Sequence, residues 1–176
     1  MKMSDSREIK AAPEVVWAAI LNPEVLKACV PGCTEMTGNA QDGFEATVVQ
    51  KVGPVKATFK GQVTISDMEE PHKLKLTGEG KGGAAGFAKG GADVRMEPSE
   101  AGTTLHYDVE ASVGGKLAQL GSRIIDGFAK KMADQFFQNF QEAVEGPADP
   151  EEAPEVEGDA AADGKKKGWF KRMVSG

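Results

Sequence analysis

Residues 116–145, KLAQLGSRIIDGFAKKMADQFFQNFQEAVE, carry the strongest helical pattern in the chain. Apolar side chains recur there every three or four residues, the spacing that places them on one face of an α-helix. The members of this stripe are Leu117, Leu120, Ile124, Phe128, Met132, Phe136, Phe140 and Val144. A helix of this length spans roughly 45 Å. The pattern predicts one long amphipathic helix that needs an apolar surface to cover it.

The preceding segment, residues 34–113, predicts an antiparallel sheet of about six strands. In VKATFKGQVTIS, residues 55–66, apolar and small residues alternate with polar ones, which is the period of a half-buried strand. Proline and glycine pairs separate such segments and predict turns. An opening strand near residues 3–10 and two short helices, starting at Pro13 and Pro23, come before this region.

This element order predicts an α+β helix-grip fold, in which a curved antiparallel sheet wraps around the C-terminal helix. A strongly curved sheet stands away from a straight helix and encloses a space. Small residues favour such a space. Ala and Gly occupy every second position from residue 84 to residue 92, and Gly61 lies in a neighbouring strand. The same glycines also suit bulges or bends of a curved sheet, so both interpretations stay open.

Four segments carry a family resemblance: NPEVLKACVPGCTEM, VGPVKATFKGQVTI, GEGKGGAAGFAKGGADVRM and GGKLAQLGSRIIDGFAKKMADQFFQNF. They closely resemble the CoxG family of carbon monoxide dehydrogenase subunits, which belongs to the START-like (SRPBCC) superfamily of helix-grip proteins. The resemblance covers residues 1–146 in order. It implies an accessory protein that recruits a molybdenum-containing hydroxylase, such as carbon monoxide dehydrogenase, to the membrane. It also implies a lipophilic quinone, bound non-covalently in the grip cavity, that carries electrons to the respiratory chain.

A lipophilic ligand requires an apolar wall, which the inward positions of the predicted sheet and helix supply. Tyr107 is the single tyrosine, and its hydroxyl would meet either a quinone carbonyl or a backbone partner. The predicted ligand-binding residues are Phe59, Leu74, Leu76, Ala88, Leu105, Tyr107, Val109, Leu117, Leu120, Ile124 and Phe128. Taken singly, each is better explained as an ordinary core residue, and only the set indicates a ligand site.

Metal binding and catalysis have little support in the sequence. Cys29 and Cys33 form a C-x3-C pair, and His72 and His106 are the two histidines, so a four-ligand zinc site is not predicted. The pattern favours buried apolar thiols over a redox role. No triad or paired inward carboxylates emerge, so we predict no catalytic residues and no enzyme. A small enzyme acting on a hydrophobic substrate stays an alternative, by analogy of fold alone.

The end of the chain is organised separately from the rest. Residues 147–164 carry seven acidic residues and no basic one, which with proline and alanine predicts a disordered linker. Residues 165–176, KKKGWFKRMVSG, predict a basic amphipathic segment that binds an anionic membrane surface. The membrane-binding side chains in this prediction are Lys165, Lys166, Lys167, Trp169, Phe170, Lys171, Arg172 and Met173. A peptide that docks on a partner protein is the alternative.

Composition limits the partners and the location. The net charge of -6 argues against nucleic acid, and residues 1–146 alone still carry 16 basic and 20 acidic side chains. No apolar run is long enough for a transmembrane helix, and MKMSDSREIK lacks the apolar core of a secretory signal. The sequence therefore predicts a cytoplasmic protein, peripherally associated with the inner face of the cytoplasmic membrane. The main alternative function is a recruitment adaptor or maturation factor with a filled core and no ligand.

Overall fold

A computed structural model describes residues 1–145 of the chain. The predicted linker at 147–164 and the predicted membrane-binding segment at 165–176 lie outside the described residues and stay predictions.

One antiparallel sheet of seven strands wraps around a long C-terminal helix, in the order β1-β7-β6-β5-β4-β3-β2. The strands are β1 (Lys2–Ile9), β2 (Cys33–Asn39), β3 (Gly43–Val52), β4 (Val55–Glu69), β5 (Lys73–Lys81), β6 (Phe87–Pro98) and β7 (Thr103–Gly114). The helices are α1 (Pro13–Ile20), α2 (Pro23–Cys29) and α3 (Ser122–Glu145), with 3₁₀ turns at Gly83–Ala85 and Gly115–Leu120. The predicted α+β helix-grip fold is confirmed.

The two short helices begin at prolines, as predicted. Pro13 and Pro23 occupy first-turn positions, where the missing N–H costs no hydrogen bond. The Asn22 side chain caps α2 by accepting a hydrogen bond from the backbone N–H of Glu24 at 2.9 Å. Residues of both helices, including Val16 and Cys29, are buried against the sheet, so this pair closes one end of the fold.

The alternation predicted for residues 55–66 is confirmed in β4, whose residues are half-buried and exposed in turn. The half-buried set faces α3, and its partners in the neighbouring strands face the same way. Phe59 pairs with Val48 of β3, and Gly61 pairs with Gly80 of β5. The central strands thus present one apolar face to the helix.

The long helix begins at Ser122, so the prediction of a continuous helix from residue 116 was wrong. Gly121 adopts a φ of +89°, a left-handed conformation that ends the preceding 3₁₀ turn and cannot continue a right-handed helix. Leu117 and Leu120 belong to that turn and share no helical phase with α3. As a result Ile124 is 40% exposed, and Ile125 takes the half-buried position instead.

The C-terminal half of α3 packs into the dense core of the protein. Phe140 is completely buried, and the Phe137 ring stacks on Tyr107 of β7 at 5.1 Å between centroids. The core cluster comprises Ile9, Val16, Trp17, Ile20, Cys29, Leu74, Val94, Met96, Leu105, Tyr107, Phe137 and Phe140. Close packing is therefore concentrated where α3 ends, beside α1 and α2.

A polar contact fixes the same half of the helix to β1. The Arg7 guanidinium lies 5.3 Å from the centre of the Phe137 ring and donates a hydrogen bond to Asp134. Hydrogen bonds from Arg7 and Lys130 hold the pKa of Asp134 below its usual value. The C-terminal half of α3 is thus held by both apolar and charged contacts.

Candidate functional site

A cavity of about 660 Å³ lies between the sheet and the N-terminal half of α3. The sheet contributes Met1, Met3, Val48, Gln50, Val52, Phe59, Gly80, Ala88, Val109, Ala111, Ser112 and Val113. The helical side contributes Leu117, Ala118, Gly121, Ser122, Ile125, Asp126, Phe128, Ala129 and Met132. Its size falls within the range of about 300–1,000 Å³ typical of small-molecule sites.

Most of the cavity wall is aliphatic or aromatic, with a few polar side chains. Gln50 donates a hydrogen bond from its side-chain amide to the carbonyl of Pro31, which orients it. Ser122 adds a hydroxyl group, and among the described residues of the wall Asp126 alone has an ionisable side chain. An apolar chamber with few polar groups suits a lipophilic ligand that carries one or two hydrogen-bond acceptors.

Small residues keep the sheet side of the cavity open. A Cβ atom built on Gly80 would find no other atom within 4 Å, so this glycine borders empty space. Ala88 pairs with Gly80 across β5 and β6, and Ala111 lies on β7. Gly90 differs, because a Cβ there would lie 2.1 Å from the carbonyl oxygen of Glu110. Gly80 thus borders the cavity, whereas Gly90 allows a close approach of the β7 backbone.

The cavity opens beside the start of α3. Ala118, Gly121, Ser122 and Asp126 line it and are also exposed to solvent. The β3–β4 hairpin reaches the same place, since a Cβ on Gly53 would lie 3.5 Å from Ile124 and 3.9 Å from Leu120. The hairpin tip and the turn before α3 therefore form the rim of the mouth.

Five of the predicted ligand-binding residues line the cavity: Phe59, Ala88, Val109, Leu117 and Phe128. Leu74, Leu105 and Tyr107 instead lie in the dense core, and Leu76 packs against it. Leu120 lies by the hairpin tip, and Ile124 is partly exposed beside it. The Tyr107 ring is stacked on Phe137 and does not line the cavity, so a contact between its hydroxyl and a ligand there has no geometric support.

Position along each strand separates the core residues from the cavity residues. On β7 the inward side chains run from Leu105 and Tyr107 in the core, through Val109 at the boundary, to Ala111 and Val113 in the cavity. All five share one face, so alternation alone could not separate them. The separation depends on which half of α3 lies above each strand position.

Several lining residues were missed by the sequence analysis. Val48, Gln50 and Val52 alternate on β3, directly across from the predicted Phe59 strand, and this spacing could have identified them. Ile125 and Met132 line the cavity because α3 begins at Ser122, and this start determines which side of the helix faces the sheet. Met3 lines the cavity from β1 and Met1 from the residue before it, and the weak alternation of this strand carried little signal.

The cysteines lie away from the cavity wall. Cys29 is buried in the core, and Cys33 is half-buried and donates to the Glu35 carbonyl. Burial raises the pKa of both thiols, which favours the neutral, unreactive form. Within residues 1–145, no group of three or more His, Cys, Asp or Glu side chains could hold a metal ion.

A second and larger concavity, about 1060 Å³, lies on the opposite face of the sheet. Its walls carry charges of both signs, among them Lys75, Glu79, Asp93, Asp108 and Glu110. These groups are exposed, and a lipophilic ligand would gain little contact there. The apolar cavity is therefore the better candidate site.

Comparison with known proteins agrees with this architecture. Residues 6–145 match the protein-family model that describes CoxG, the G subunit of carbon monoxide dehydrogenase. A conserved protein from Geobacillus kaustophilus has a similar crystal structure, with 29% sequence identity and a TM-score of 0.76. That match covers 82% of this chain and 95% of the other.

More distant structures share the fold alone. A protein from Chromobacterium violaceum matches at 16% identity and a TM-score of 0.61, covering 83% of this chain and 99% of its own. One from Thermus thermophilus matches at 14% identity and a TM-score of 0.62, covering 85% and 100%. No curated protein matches the chain. Among the helices described over residues 1–145, none combines the length and apolar character needed to cross a membrane.

Proposed function

The chain belongs to the CoxG family of carbon monoxide dehydrogenase subunits, and on that premise we propose that it carries a lipophilic ligand, a respiratory quinone, in its cavity. In this proposal it also links a molybdenum hydroxylase, such as carbon monoxide dehydrogenase, to the cytoplasmic membrane. The redox chemistry belongs to the quinone and to the enzyme. The chain itself binds the quinone, shields its apolar part from water and presents it to each partner.

The apolar cavity of about 660 Å³ is the observation that supports this proposal most. A quinone joins a flat ring bearing two carbonyl acceptors to an apolar tail. Phe59, Phe128 and Met132 offer apolar surface for the ring and tail, and Ser122 offers a hydroxyl donor near the mouth. The division of α3 explains how the space persists, because its C-terminal half is anchored in the core.

The two alternatives fit the cavity less well. A recruitment adaptor without a ligand needs no such space, and cavities of this size cost a protein packing energy. An enzyme using general acid–base catalysis needs a positioned acid and base. Among the described residues that line the cavity, Asp126 alone has an ionisable side chain, so we propose no catalytic step.

Organic extraction of the purified full-length protein, followed by mass spectrometry, tests the proposal. We expect about one quinone per chain, either co-purified or acquired on incubation with decylubiquinone, because the apolar cavity has the size and polarity to hold one such molecule. Denatured protein treated in the same way controls for non-specific adsorption. Failure to recover quinone above that control, even after incubation, would favour the ligand-free adaptor.

A further inference from the structure

Basic side chains predominate on the described segments that border the cavity mouth, although Asp126 of α3 lies there too. Residues 51–56, 81–86 and 115–124, here called the basic rim, contain five basic residues and no acidic one. The five are Lys51, Lys56, Lys81, Lys116 and Arg123, and all are exposed. Since residues 1–146 together carry an excess of acidic groups, this local excess of positive charge runs against the composition of the domain.

The three segments of the basic rim form one continuous surface. Gly53, at the hairpin tip, approaches Leu120 and Ile124. Gly86 approaches Gly115 so closely that a Cβ on Gly115 would lie 2.6 Å from its Cα. The hairpin, the 3₁₀ turn before α3 and the segment before β6 therefore follow one another around the mouth.

The cations of the rim have no acidic partners within the described part of the chain. Ion pairs elsewhere join Lys2 to Glu110, Arg7 to Asp134 and Lys73 to Glu69. No ion pair among residues 1–145 uses any of the five rim cations. Lys51 and Lys56 even face each other directly across β3 and β4, an arrangement that destabilises a sheet by like-charge repulsion. The ion pairs of residues 1–145 thus leave these five cations without a paired carboxylate, so they can attract an external anion.

Apolar side chains accompany the charges. Ile124 is 40% exposed within the rim, and Leu120 is half-buried next to it. Leu117 and Ser122, also in the rim, line the cavity itself. Cations flanking exposed apolar groups match the boundary between phospholipid headgroups and acyl chains.

We propose that the basic rim docks the mouth of the cavity directly on an anionic phospholipid surface. The folded domain then binds the membrane through its own surface, separately from the predicted C-terminal segment. Docking in this orientation lets an apolar ligand pass between bilayer and cavity without crossing water. The purpose of this docking rests on the proposed carrier function. The docking itself requires no bound ligand.

Vesicle partitioning of full-length variants tests this surface. The rim variant combines Lys51→Gln, Lys56→Gln and Arg123→Gln. The matched control combines Lys27→Gln, Lys75→Gln and Lys131→Gln, three exposed lysines outside the rim whose loss changes the net charge equally. The vesicles contain phosphatidylcholine with a quarter phosphatidylglycerol. The C-terminal segment is identical in all three proteins, so its contribution cancels in the ratios.

We expect the rim variant to partition more weakly than the unchanged protein by on the order of 100-fold, since each cation beside an anionic leaflet contributes about fivefold. The control should lose less than about fivefold, because its lysines face away from the bilayer. Equal losses in both variants, or no loss in either, would overturn the proposal. So would a rim variant that keeps vesicle binding but no longer binds the hydroxylase, since the rim would then be a protein interface.

This test is separate from that of the carrier function. Partitioning is measured without quinone, and quinone extraction is measured without vesicles. A rim variant with normal quinone content and normal partitioning contradicts the docking surface alone. A protein that partitions as expected but binds no quinone contradicts the carrier function alone.

Discussion

Replacing Gly80 with phenylalanine is expected to lower quinone affinity at least about tenfold, a change of about 1.4 kcal/mol in binding free energy. Gly80 borders the cavity, and a Cβ atom there has no neighbour within 4 Å. The aromatic ring of Gly80→Phe would extend into the space that we assign to the ligand. Equilibrium titration with decylubiquinone, followed by fluorescence or calorimetry, measures the loss.

The fold should tolerate this substitution. Burial of an aromatic side chain in an existing apolar space stabilises a protein by about 1.5–3 kcal/mol, so thermal unfolding should occur at the same or a higher temperature. Gly127→Phe is the matched control, because a Cβ on Gly127 also meets no atom within 4 Å but lies on the exposed side of α3. Undiminished quinone binding by Gly80→Phe would mean that the ligand occupies another site.

Replacing Phe140 with alanine is expected to lower the free energy of unfolding by about 3–5 kcal/mol. Phe140 is completely buried and packs against the rings of Phe136 and Phe137, so its removal leaves a new cavity in the dense core. A loss of this size is a large fraction of the total stability of a typical domain. Urea unfolding of the ligand-free protein, followed by circular dichroism, provides the measurement.

Phe128→Ala, on the same helix, is the comparison that tests the division of α3. Phe128 is half-buried and already lines the cavity, so its truncation enlarges an existing space and should cost only about 1–2 kcal/mol. Equal destabilisation by Phe128→Ala and Phe140→Ala would contradict the distinction between an anchored half and an open half.

The sequence was sufficient to predict the fold. Strict alternation in residues 55–66 and the prolines at the start of the two short helices are local signals. Each of them determines the structure of the segment in which it occurs, so each could be read from the sequence. The start of the long helix was mispredicted because apolar spacing continues from Leu117 through Gly121 into α3. The left-handed conformation of Gly121 interrupts that spacing, and a glycine in a periodic pattern does not by itself reveal its φ angle.

The sequence predicted which side chains point inward from the sheet. It did not predict which of these line the cavity and which belong to the core. Alternation correctly placed Leu105, Tyr107 and Val109 on the inward face of β7, yet the first two belong to the core. The path of α3 across the sheet decides which strand positions face the core. This is a tertiary property, and the local alternation of a strand contains no information about it. The one-residue change of phase that exchanges Ile124 for Ile125 has the same origin, because it follows from where the helix begins.

Methyl-detected NMR during titration with decylubiquinone tests the central claim, that the ligand lies between the sheet and the N-terminal half of α3. The account predicts chemical-shift changes for the cavity methyls, those of Val48, Val109, Val113, Leu117 and Ile125. It predicts little change for the core methyls, those of Ile9, Val16, Val94 and Leu105. Changes confined to the core or to the opposite face of the sheet, or no changes at saturating quinone, would contradict it.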